Sequence, residues 1–133
     1  MATLADRRQS IYRALQTISN WQVYPYLEQA PQLPALMVGA PAEGNLDETF
    51  DGSGSYGFTV YALCKGDQSW STAQQLIDPL LAPGGNGSVR AALDAQPDIA
   101  GQIVSIEFSD YGPGANWAGA TVFIARIRLV VLS

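Results

Sequence analysis

Ser55-Tyr-Gly-Phe-Thr-Val-Tyr-Ala-Leu-Cys-Lys65 decides the fold. Tyr56, Phe58, Val60, Ala62 and Cys64 alternate with Thr59, Tyr61, Leu63 and Lys65, the period of a β-strand. Both sets are largely apolar, so the strand is expected at the centre of a sheet. A polar break follows, and then Ser71-Thr-Ala-Gln-Gln-Leu-Ile-Asp-Pro-Leu-Leu81 reads as a helix with a Ser71/Gln74 capping box. Asp78-Pro79 is expected to kink or end it, with Leu80 and Leu81 still packed. Pro83-Gly-Gly-Asn-Gly87 is a turn, and Ser88 caps a short helix that stops before Pro97.

Working outward, Thr3–Ser19 is a helix whose stripe is Leu4, Ile11, Leu15 and Ile18, with Arg7, Arg8 and Arg13 on a solvated face. Trp21–Leu27 is extended, with Pro25 confining its second half to an edge or turn. Ala35–Ala40 is a short apolar strand. Pro41–Gly54 is a long loop carrying Glu43, Asp47, Glu48 and Asp51. Gln102–Tyr111 and Ala120–Leu132 are the last strands, joined by a long glycine-rich loop, Gly112–Gly119. At ~3.3 Å per residue the final strand reaches ~40 Å. One of its faces is aliphatic; the other sets Arg126 and Arg128 among Val122, Ile124, Val130 and Leu132, as a partly buried interface would.

The predicted class is α+β: a mainly antiparallel sheet of about five strands with helices on one face, in the order α-β-β-β-α-α-β-β. The 133 residues suit a single domain, 1–133. Charged residues are only 14% of the chain, against a usual ~25%. So neutral a surface points to contact with other subunits. The net charge is −5 and there is no basic run, so the footprint of a nucleic-acid binder is missing. Met1–Arg8 opens no apolar leader, and no run approaches a membrane span, so the expected site of synthesis is a cytoplasm.

Histidine is absent, which removes the commonest general base, metal ligand and triad member. The spacing of Glu43, Asp47, Glu48 and Asp51 matches no calcium loop, so the group reads first as solvated surface and only second as a cation site. Gly84-Gly-Asn-Gly-Ser88 follows a helix and lacks the lysine of a phosphate loop, so it reads as a helix–helix joint. Cys64, the lone cysteine, reads as packing rather than as a nucleophile. Of Trp21, Trp70 and Trp117, the last is the best interface anchor. No catalytic residue, cofactor or metal is expected. The interface candidates are Glu43, Asp47, Glu48, Asp51, Trp117, Arg126 and Arg128.

Several segments together resemble the tail terminator proteins of long-tailed bacteriophages, especially those infecting actinobacteria. They are Ile11…Ala14-Leu15…Ile18 leading to Trp21 and Val23; Pro34-Ala-Leu-Met-Val38; Tyr56-Gly-Phe-Thr-Val60; Gln75-Leu-Ile-Asp-Pro-Leu-Leu81; Gly87-Ser-Val-Arg-Ala-Ala-Leu93; and Asp110-Tyr-Gly112. The resemblance covers most of the chain as a pattern of elements and spacers. It implies a hexameric ring in the virion that caps the tail tube, ends its polymerisation and meets the head–tail connector, and it brings no catalytic residues. DNA would pass through the lumen; six copies would carry about −30 and repel phosphate. The alternatives are a head-completion or connector adaptor, a non-viral small α+β binding domain, and an enzyme built on carboxylate, lysine or tyrosine chemistry.

Overall fold

The computed structural model describes residues 4–39, 55–66 and 70–132. Their elements are α1 (Leu4–Leu15), β1 (Gln22–Tyr24), β2 (Ala35–Gly39), β3 (Ser55–Lys65), α2 (Trp70–Leu81), α3 (Val89–Ala95), β4 (Ile103–Trp117) and β5 (Ala120–Leu132). The class is α+β, and the element order is the predicted one.

The five described strands form one sheet in the order β1-β2-β3-β5-β4. The two-faced strand β3 therefore takes the middle place that its composition predicts. It pairs along its whole length with β5, from Ser55 opposite Leu132 to Lys65 opposite Val122, and on its other side with β2. These pairings and β4–β5 are antiparallel, while β1 runs parallel to β2. The proline-bearing segment from Pro25 to Pro34 carries the chain back to start β2 in the direction of β1, and Gln22 N–H donates to the Pro34 carbonyl at 3.0 Å.

One sheet face presents Leu36, Val38, Phe58, Val60, Ala62, Cys64, Phe123, Ala125, Ile127, Leu129 and Val131. All three described helices contribute to the same cluster: Ile11, Ala14, Leu15 and the following Ile18 from the α1 end, Ala73, Ile77 and Leu80 from α2, and Val89 and Leu93 from α3. Each set recurs at three- or four-residue spacing, which places it on one stripe of its helix. The opposite face has a smaller core of Met37, Leu63, Val122 and Ile124, flanked by Tyr24, Leu33, Tyr61, Ala115 and Trp117.

Four local expectations are corrected. Ser71 lies inside the first turn of α2 rather than capping it. Pro79 neither ends nor interrupts the assigned helix; it stands in the last turn, where few backbone bonds remain to be lost, and Leu80 is buried behind it. The positive φ angles of the helix joint fall on Gly85 and Gly87, not on Asn86. The arginines of α1 do not share a solvated face. Arg8 is buried, donating to the carbonyls of Pro25 (2.8 Å) and Val38 (2.5 Å), with its guanidinium 4.6 Å from the Tyr26 ring centre. Burial lowers its pKa, and Tyr26 acts in the opposite sense. Arg7 and Arg13 both reach the Asp98 turn, the first through the Asp98 carbonyl and the second through an exposed ion pair at 2.7 Å.

The cap of α3 is formed as predicted. Ser88 Oγ accepts from Ala91 N–H at 3.2 Å and donates to the Ala82 carbonyl at 2.7 Å, so one buried hydroxyl joins the start of α3 to the end of the α2 turn. Ser88→Ala removes both bonds and is expected to destabilise the fold by about 1–2 kcal/mol, read as a lower denaturant midpoint with an unchanged m-value. Gly66→Ala is the sharper lesion. Its Cβ would lie 2.2 Å from the Thr121 carbonyl oxygen, so the β3 end and β5 start must separate, with a drop in melting temperature that a neighbouring exposed substitution such as Lys65→Gln does not produce.

Candidate functional site

Among the described residues, no group of three or more His, Cys, Asp or Glu is placed to hold a metal ion, and no helix is long and apolar enough to cross a membrane. The notable features are the second sheet face and the outer edge of β4.

Trp117 is not on a loop. Strand β4 continues through Gly112, Pro113 and Gly114 to Trp117, and only Ala118-Gly119 remain as the hairpin turn. The predicted long loop between Gly112 and Gly119 is therefore mostly strand. Its irregular sequence is absorbed by register shifts between Ser109 and Gly112 and between Gly112 and Ala115. Such bulges increase bend and twist. Their effect is visible at the hairpin end. By register, Trp117 lies opposite Ala120, six residues along β5 from Arg126, the partner of Tyr61. Yet the Tyr61 and Trp117 ring centres are 5.2 Å apart. The hairpin end must fold back across the second face to bring them together. Trp117 Nε1 then donates to the Glu28 carbonyl at 2.7 Å, fastening the hairpin to the Pro25–Pro34 segment. The tryptophan proposed as a free anchor is thus a clasp for the smaller core.

Arg126 and Arg128 are half-buried on this same face. Arg126 sits between Tyr61 and Ser109 in the ladder, its guanidinium 5.4 Å from the Tyr61 ring centre, within cation–π range. Arg128 sits between Thr59 and Glu107. Tyr61 therefore links two of the predicted site residues, Trp117 and Arg126, and Arg128 lies two residues further along β5. Glu43, Asp47, Glu48 and Asp51 lie outside the described residues.

The second feature is an edge. Among the described residues, β4 has no neighbour on its outer side. From Ser105 to Ser109 it pairs with β5 in unbroken register; bulges flank this stretch on both sides. Phe108 in the stretch and Tyr111 just beyond it are exposed large side chains. Tyr111 packs edge-on against Phe123 at 5.6 Å and donates to Asp78 Oδ1 at 2.7 Å, which ties β4 to α2. Burial and the Asp78 bond push its phenol up to about 12. Sequence reading missed this pair and Arg8. The signal for Arg8 was present, because position 8 falls on the helical stripe of Ile11, Leu15 and Ile18.

Cys64 is fully buried against the helices, and burial pushes its thiol up to about 11. That environment opposes formation of the nucleophilic thiolate. No protein-family model and no curated protein matches this chain.

Two predictions follow from these environments. Trp117→Phe keeps the ring but deletes the bond to Glu28; it is expected to cost about 1 kcal/mol and to speed amide exchange at the hairpin end more than in β3. For Cys64, the folded chain holds its proton from pH 9 up to about 11 while the unfolded chain releases it. Its contribution is therefore complete below pH 9 and is lost as pH rises towards 11. Cys64→Ala should show a shallower fall of stability across that window than the parent, measured by urea unfolding at successive pH values.

Proposed function

We propose that this chain is a structural ring subunit that caps the tail tube of a long-tailed phage, ends its polymerisation and forms the joint to the head connector. The observation that supports this reading best is the open edge of β4. A regular strand segment with unpaired backbone groups and an exposed Phe108 is a template for contact with another chain. The low share of charged residues fits a subunit covered on several sides.

In this reading the helix-covered core is the rigid body of the subunit, and β4 supplies a contact to a neighbouring copy. The bulges on either side of Ser105–Ser109 limit how far a partner strand can pair, which favours a single register. The half-buried row of Tyr61, Arg126 and Arg128 lies on a different surface and is assigned to the tube or connector. The ring contains no catalytic step, and DNA traverses it without specific binding.

Sedimentation and negative-stain imaging at high protein concentration test the ring. The expected species has six times the mass of one chain, and adding it to growing tail tubes halts their elongation. Phe108→Lys should keep the circular dichroism of the parent yet shift the assembly to single chains. A parent protein that stays monomeric and never associates with tubes would sink the proposal. Co-purification with a portal-side protein instead of tube protein would replace it with the connector-adaptor reading.

A further inference from the structure

A half-open cavity of about 510 Å³ lies beside the helices, far along the chain from the features assigned above. It is formed where the end of α1 (Thr17 to Trp21) meets α2 at Gln75, Leu76 and Pro79 and the glycine joint at Asn86 and Gly87. Its size falls in the roughly 300–1,000 Å³ range of ligand pockets. No charged side chain lines it.

Three features nonetheless give the cavity a negative character. Helices α1 and α2 end near it, at Leu15 and Leu81. A helix C-terminus carries roughly half a negative charge and carbonyls without intrahelical donors. Pro79 has no N–H, so the Gln75 carbonyl receives no donor from the position four residues on; both residues line the cavity. Trp21, half-buried in its wall, adds an indole, the aromatic group that attracts cations most strongly. A neutral wall with inward carbonyls and an indole suits a diffuse positive charge better than a small hydrated metal ion, which prefers carboxylates.

We propose that this cavity binds an organic cation, an alkylammonium or guanidinium group, through backbone carbonyls at the two helix ends and the face of Trp21. The group would come either from a free amine or from a lysine or arginine side chain of a partner. This site is independent of the ring reading and stands or falls separately from it.

The test follows the three tryptophan indole N–H signals of the full chain by NMR, assigned with single Trp→Phe variants. The probes are butylammonium and the capped amides of lysine and arginine; capped norleucine and citrulline amides are the neutral controls. Saturable shifts of the Trp21 signal with the cations, absent with the controls and absent at Trp70 and Trp117, are the expected result. Tighter binding of the capped amides than of butylammonium assigns the site to a partner's side chain; equal binding assigns it to free amines. Pro79→Ala returns a donor to the Gln75 carbonyl without weakening the helix, and should loosen the cations by about three- to tenfold. The proposal is overturned if the Trp21 signal does not saturate, if neutral controls shift it equally, or if Pro79→Ala binds as the parent does.

Discussion

The β3–β5 ladder is apolar on both faces, and water has to be kept from each of them. One face is large and continuous, and three helices lie on it with stripes of matching spacing. The other is interrupted by Tyr61, Arg126 and Arg128 and cannot be sealed by another apolar helix without burying cations. It is closed instead by the returning hairpin end and the proline-bearing segment after β1, which the Trp117–Glu28 bond holds together. The position of β4, its bulges and its bend all depend on this second closure.

Polar groups inside the fold follow the same logic. Arg8 is admitted to the interior because two carbonyls and an aromatic ring receive it. It joins α1 to β2 and to the chain leaving β1, so a single guanidinium holds three segments that have few other reasons to stay together. A buried charge with partners of this kind is costly to strip of them and gives position as well as stability.

Periodicity made most of the fold legible. The alternation in β3, the stripes of α1 and α2 and the Ser88 cap all depend on neighbours within a few residues, and they were read correctly in kind. What failed depended on place in the sheet. Gly112-Pro-Gly114 reads as a loop because glycine and proline weaken a central strand, but an edge strand has no second partner to donate to and tolerates both at bulges. Pro79 reads as a break, but its place in the last turn spares the helix most of the damage. The site was less legible than the fold. Arg126 and Arg128 were placed on the correct face from alternation alone, whereas the meeting of Trp117 with Tyr61 arises from a bend that no local pattern announces.

The two borders of the sheet are unequal. Strand β1 is three residues long and is followed at once by Pro25, whereas β4 is fifteen residues long. Symmetry gives this difference a consequence. If the long border meets its own copy, the two chains are related by a twofold axis, the contact is used up on both sides, and growth stops at a pair. A closed ring requires the long border to meet some other surface of the next chain, with each copy both giving and receiving. The short border, broken by proline, is poorly suited to that role as a strand partner. The receiving surface is therefore to be sought on a helix or a sheet face, and an assembly built this way has a sense of rotation written into every subunit.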